Sequence, residues 1–242
     1  MMEKDFRIKV AGQAARIETL HRHTYELCRD YRTDEEAALH IRVTQSDIER
    51  ERAESLSLGY HQSDGYLETL AVYRKLSEEM LEHDTFLMHG AAVAMDGGAY
   101  LFLGKSGTGK TTHIRLWLKN LPDAFVVNGD KPLIRVTKKE ALVFGTPWCG
   151  KEQMNTNTVS PLRAIILMER NEENRMEKIS FSRAFPVLLQ QTYRPKDAEK
   201  AKKTLSLLAR LNGQVRFYRF QFNNLKEDAF GVAYEALCRE SD

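Results

Sequence analysis

The run richest in chemistry is Gly104-Lys105-Ser106-Gly107-Thr108-Gly109-Lys110-Thr111, followed by Thr112. It satisfies G-x-x-x-x-G-K-[ST] at every fixed position. Glycines let successive backbone N–H groups turn inward around an anion, where side chains would obstruct them. A helix starting at the end of the loop adds its free amides and the positive end of its dipole. Lys110 would then reach the β- and γ-phosphates of a nucleotide, and the Thr111 hydroxyl would coordinate Mg²⁺. The bare pattern arises by chance in roughly one chain in a hundred of this length, so its surroundings decide. Residues 99–103 read as a strand leading into the loop. Residues 112–119 read as a helix leaving it, with Ile114, Leu116 and Trp117 for packing.

A nucleotide site needs an acidic group at a neighbouring strand end to hold the cation. Asp130 follows an apolar stretch at 124–127 and the pair Asn128-Gly129; Glu169 follows the apolar stretch 164–168. Glu169 has the more ordinary spacing but could be a solvated residue paired with Arg170, while Asp130 could merely cap a turn. Pattern alone leaves both open. Other residues carry two readings each. His89 is an acid–base group or a buried structural histidine. His113 belongs to the core or the rim, and Trp148 is a closing flap or a loop anchor. Arg170 and Arg194 either stabilise transferring charge or form surface ion pairs.

The elements that must position these groups follow from periodicity. Residues 6–10 and 38–43 alternate like strands, and residues 66–81 repeat apolar side chains at helical spacing. Residues 86–95 read as one strand, joined through Asp96-Gly97-Gly98 to the strand before the loop, a strong hairpin signal. Strands are expected at 124–127, 133–136, 141–144, 164–168 and 215–220. Helices are expected at 182–191, 197–211 and 225–239. The charged stretch 47–54 is a junction, a surface loop or an exposed helix. The sheet is therefore expected to be mixed.

The 242 residues, 42% hydrophobic and 29% charged, suit one medium domain with an elaborated terminus. A net charge of +2 gives no broad basic field, so nucleic acid is not an expected partner. No apolar run is long enough to span a bilayer, and Met1-Met2-Glu3-Lys4-Asp5 is charged where a signal peptide is apolar. Cys28, Cys149 and Cys238 are too scattered for a disulfide framework or a zinc cluster. A cytoplasmic protein with no membrane partner is the expectation.

His89-Gly90-Ala91-Ala92-Val93, the glycine-rich loop after Tyr100-Leu101-Phe102-Leu103, and Val126-Val127-Asn128-Gly129-Asp130 together resemble the core of the HPr kinase/phosphorylase family. They are also similar to phosphoenolpyruvate carboxykinases, which share that core. Both families place a His-Gly strand before the loop, write the loop as G-x-S-G-x-G-K-[ST], and follow the next strand with an Asp-Asp pair. Gly145-Thr146-Pro147-Trp148-Cys149-Gly150-Lys151-Glu152 and the Arg170 region resemble HPr-kinase-related proteins that accompany peptide-modifying systems. The likeness spans about residues 86–170 and leaves the first sixty or so uncovered.

The resemblance implies an α/β fold of the mixed α+β kind. Its P-loop core with a mixed, partly antiparallel sheet would occupy 63–242, and an α+β extension 1–62. It makes ATP and Mg²⁺ the cofactors, and Gly104, Ser106, Gly107, Thr108, Gly109, Lys110, Thr111 and Thr112 the nucleotide-binding set. Lys110, Asp130 and His89 become the catalytic residues, and Thr111 and Asp130, rather than Glu169, the metal ligands. The implied activity is transfer of the γ-phosphate to a hydroxyl, the serine of a protein or peptide or a small molecule. A homo-oligomer is implied by the ring assemblies of the family. One departure stands out: Gly129 occupies the place of the first aspartate, the family's proton acceptor. Asp130, Glu152 or His89 must replace it, or catalysis is reduced. The alternatives are a catalytically weak nucleotide-binding regulatory module, or an NTP hydrolase or phosphorylase. The constellation a carboxykinase needs for its organic acid is not evident.

Overall fold

Asp96 and Gly97, with φ of 48° and 70°, supply the left-handed pair that a two-residue hairpin requires. They join β5 (Ala91–Met95) to β6 (Gly98–Leu103), with Ala91 opposite Phe102 and Met95 opposite Gly98. All residues of both strands are buried, so the hairpin occupies the sheet interior. β6 runs parallel to its other neighbour, β10 (Val159–Arg170), and β5 pairs antiparallel with β7 (Phe125–Asn128). The N-terminal end of β10 continues into β9 (Ala141–Phe144), β8 (Leu133–Val136) and β4 (Thr85–Leu87). Its C-terminal end pairs with β12 (Arg216–Phe222), which pairs with β11 (Arg175–Ile179). The fold is mixed α/β, built, among the described residues, on a nine-stranded mixed sheet.

Alternation along β6 sorts its side chains onto two faces. Leu101 and Leu103 join Ile165 and Leu167 beneath Ala184, Leu188, Leu207 and Leu208 of α5 (Phe181–Gln191) and α6 (Ala198–Arg210). Tyr100 and Phe102 join Ile166 and Phe220 beneath Ile114, Trp117, Ala229 and Ala233 of α4 (Lys110–Asn120) and α7 (Glu227–Cys238). Helices thus cover both faces of β6 where the glycine-rich loop leaves it.

The computed structural model describes residues 4–224 and 226–238. The expected terminal helix appears as α7; Leu225 and Arg239, like Met1, Met2 and Glu3, lie outside the described residues. A second sheet, ordered β1 (Asp5–Val10), β2 (Gln13–Glu18), β3 (Leu39–Arg42), lies in the N-terminal part. Its Ile8, Ile17 and Ile41 share a cluster with Leu67, Ala71 and Leu76 of α3 (Asp64–Glu79) and with Leu133, Phe144 and Trp148. The buried Glu68 on α3 accepts from the Leu20 and His21 N–H groups at 2.5 and 3.1 Å, fixing the approach to α1 (His23–Leu27).

Several expectations need correction. Residues 86–95 are two strands, broken at His89-Gly90, because β4 pairs with β8 while β5 sits between β6 and β7. A Cβ on Gly90 would lie 2.6 Å from Leu103 Cδ2 and 2.9 Å from Leu101 Cδ1, so a larger residue there would have to displace both buried leucines. The stretch 47–54 is inside α2 (Gln45–Ser57), which Thr44 and Asp47 open with reciprocal capping bonds. β2 and β11 were not expected, and β10 is twelve residues long rather than five. No described helix is long and apolar enough to cross a membrane. Cys28 and Cys149 are buried free thiols.

Candidate phosphate and metal site

The loop 104–109 connects the carboxyl end of β6 to the N-terminus of α4. Gly107 and Gly109 take φ of 77° and 111°, which a side chain would disfavour. Thr108 N–H and Oγ1 both bond Lys105 O, at 3.1 and 2.6 Å, tightening the turn. Lys110 begins α4, buried, and its ammonium donates to Gly104 O at 2.8 Å and Lys105 O at 3.3 Å. The cation is thus folded back against the loop it follows. Burial lowers the Lys110 pKa, and the nearby Asp130 charge opposes the shift. Ser106 is exposed on the loop, Thr111 half-buried, and Thr112 exposed on the first turn of α4.

Asp130 is fixed by His89 and by two residues that sequence reasoning did not single out, Asn128 and Lys131. Asn128, fully buried at the end of β7, accepts from the Asp130 and Lys131 N–H groups at 2.9 and 2.7 Å. Its amide donates to Thr146 O and Oγ1, both at 3.0 Å. An asparagine two residues before an aspartate is an Asx-turn signal, the cue available in the sequence. His89 Nε2 lies 3.1 Å from Asp130 Oδ1, and Lys131 Nζ lies 2.6 Å from Asp130 Oδ2. Burial raises the Asp130 pKa, but the His89 hydrogen bond and the Lys131 charge outweigh it and hold the carboxyl at about 2.

Thr111 and Asp130 line one cavity of about 220 Å³, together with Gly129, Cys149, Glu152 and Met154. Glu169 does not reach it. That residue lies at the end of β10 on a different cavity of about 420 Å³, which the Gly104–Thr108 side of the loop also lines. Its ion-pair partner is Arg219 at 3.8 Å, not the adjacent Arg170. Arg170 and Arg194 are exposed and form no ion pair among the described residues.

Gly129 has a steric reason to be glycine. A Cβ there would meet Cys149 O at 3.1 Å and Met154 O at 3.2 Å, both from the returning loop 145–155. That loop is held from outside by Trp148, whose ring stacks on Tyr73 at 4.1 Å and whose indole N–H donates to Thr69 O at 2.8 Å. Trp148 is therefore an anchor. Glu152 is exposed and bonded to Arg115. His113 is a core residue on the buried face of α4: its Nε2 accepts from Trp117 Nε1 at 3.0 Å, and burial holds its pKa at about 3. Burial also raises the Cys149 thiol.

No protein-family model and no curated protein sequence matches the chain. Among solved structures, the Hpr(Ser) kinase/phosphatase from Coxiella burnetii is similar at 10% identity, over 64% of this chain and 99% of that one, with a TM-score of 0.35. This is a distant structural relationship.

Proposed function

We propose that the chain is an ATP- and Mg²⁺-dependent phosphotransferase that moves the γ-phosphate to a hydroxyl. One observation carries the reading: Thr111 and Asp130, far apart in sequence, line the same small cavity beside the loop whose lysine opens α4. The pair suits Mg²⁺, because a hydroxyl and a carboxylate are hard oxygen donors and this cation takes few ligands from protein. Thr111 and Asp130 would hold it, and when bound it would offset the charge of the phosphates. Gly104, Ser106, Gly107, Thr108, Gly109 and Thr112 would cradle the phosphates with Lys110 as counter-charge. A carboxylate held near 2 by His89 is a weak base. Catalysis on this reading therefore rests on positioning, with His89 and Asp130 facing the acceptor hydroxyl.

The filled space over Gly129 favours a second reading, a nucleotide-binding module with little transfer. Purified protein with γ-labelled ATP, Mg²⁺ and a panel of serine peptides and small hydroxyl compounds separates the two. Label moving to an acceptor supports the phosphotransferase; tight binding with no transfer across the panel supports the module. In either case residues 1–62 are read as an extension packed on a 63–242 nucleotide domain acting in the cytoplasm.

A further inference from the structure

Both carboxylate oxygens of Asp130 have partners within the chain. His89 Nε2 is 3.1 Å from Oδ1, and Lys131 Nζ is 2.6 Å from Oδ2. At that distance the lysine makes a charge-assisted hydrogen bond rather than a loose ion pair. The Lys131 and Asp130 side chains are 29% and 22% exposed, so solvent screens the contact less than it would a surface pair. Backbone bonds fix the turn independently of that lysine side chain. The Lys131 N–H donates to Asn128 Oδ1 at 2.7 Å, and its carbonyl accepts from the Tyr73 hydroxyl at 2.5 Å and the Thr146 hydroxyl at 2.9 Å. The side chain is left to act on the carboxylate beside it.

Mg²⁺ sheds its water reluctantly and binds protein through the charge of one or two carboxylates. An ammonium on Oδ2 offsets that charge and repels a divalent ion approaching the same oxygen. Phosphates reverse the balance, since they bring the metal further oxygen ligands and offer the ammonium another negative partner. We propose that Lys131 is a tethered cation that keeps Asp130 closed to free divalent ions and yields it to metal arriving with nucleotide phosphates. The proposal rests on the nucleotide reading above and adds to it the order in which the metal enters. Lys131 acts through Asp130 and is a positioning residue.

The test is Mn²⁺ binding to the full chain, read from the paramagnetic resonance signal of the free ion, first with Mn²⁺ alone and then with saturating ATP. Circular dichroism verifies the fold of each variant. Without nucleotide, Lys131→Met and Lys131→Gln should each bind Mn²⁺ at least about tenfold more tightly than wild type, the scale on which groups around a ligand tune metal affinity. Lys131→Arg keeps the charge and should behave as wild type. Asp130→Asn added to Lys131→Met should cancel the gain, which assigns it to that carboxylate. With ATP the gap between wild type and Lys131→Met should close. Equal Mn²⁺ affinity in wild type and both neutral variants, a gain that Lys131→Arg shares or that survives Asp130→Asn, or a gap as wide with ATP as without it, overturns the tethered cation. The nucleotide reading fails separately, if Lys110→Ala binds Mn²⁺-ATP as tightly as wild type.

Discussion

His89 Nε2 lies 3.1 Å from Asp130 Oδ1, while the His89 backbone N–H donates to Gln191 O at 2.7 Å. One residue thus bonds to a wall of each cavity beside the glycine-rich loop, Asp130 on the smaller and Gln191 on the larger. The following Gly90 N–H reaches Asp130 O at 2.8 Å, so the break between β4 and β5 is itself a clamp on the acidic loop. The resemblance singled out His89 for its side chain; its backbone also links the end of α5 to the site.

Asn128→Ala removes the amide that fixes Asp130 and Lys131, leaving their N–H groups without that acceptor, and takes one donor from Thr146 O and Oγ1, of which Thr146 O keeps Asn155 Nδ2 at 2.8 Å. The loss of several buried hydrogen bonds should cost about 2–4 kcal/mol. Urea denaturation checks it, and the Mg²⁺ concentration for half-maximal nucleotide binding should rise in parallel. Unchanged stability would mean the network contributes nothing.

Gly129→Ala tests the crowding by loop 145–155. Its Cβ would press on two backbone carbonyls, at 3.1 and 3.2 Å, at a cost of about 1–2 kcal/mol. Gly129→Asp should carry the same cost and give no gain in phosphoryl transfer. A faster variant with an unshifted Tm would show that the position has room for the missing carboxylate.

His113 makes stability depend on pH. Burial depresses its folded pKa from 6.5 to about 3, so the unfolded chain takes up a proton that the folded chain refuses. Stability from this group is complete above 6.5 and falls as pH drops from there toward about 3, by about 1.4 kcal/mol per pH unit. In His113→Phe that slope should disappear, although the lost Trp117 bond lowers stability at pH 8. Parallel wild-type and variant curves between pH 6 and 4 would contradict the assignment.

The strand, loop and helix around Lys110 were legible because their signals are local: apolar alternation, glycine spacing and helical periodicity within about twenty residues. The hairpin at Asp96-Gly97 was legible for the same reason. Residues 86–95 misled because a mostly apolar run looks alike in one strand or two, and His89-Gly90 marks the break only through tertiary contacts such as that of Gly90 with Leu103. β11 was missed because Arg175–Ile179 is a charged edge strand, defined by pairing with β12. Trp148 owes its role to Thr69, 79 residues away, which no local pattern reports; the turn at Asn128 is local, but its anchor on Thr146, 18 residues away, is not.

The choice between two carboxylates is open to direct comparison. Asp130 shares a cavity with Thr111, whereas Glu169 is exposed, pairs with Arg219 and lines a different cavity. Asp130→Asn should raise the Mg²⁺ requirement at least about tenfold, the scale of losing a charged metal ligand, and Glu169→Gln by less than about twofold. The reverse order, read from Mg²⁺ titrations of nucleotide binding, would move the metal to β10.

The most direct measurement is the affinity of wild type and Lys110→Ala for Mg²⁺-ATP by calorimetry, with circular dichroism to verify the fold. Among the described residues, Lys110 donates to the loop carbonyls of Gly104 and Lys105, and on the proposed reading its ammonium is the loop's counter-charge for a phosphate. The variant should keep its spectrum and lose at least about a hundredfold in affinity, the scale of a charge-assisted contact removed from a buried site. A folded variant that binds ATP as tightly as the wild type would contradict the nucleotide site at residues 104–111.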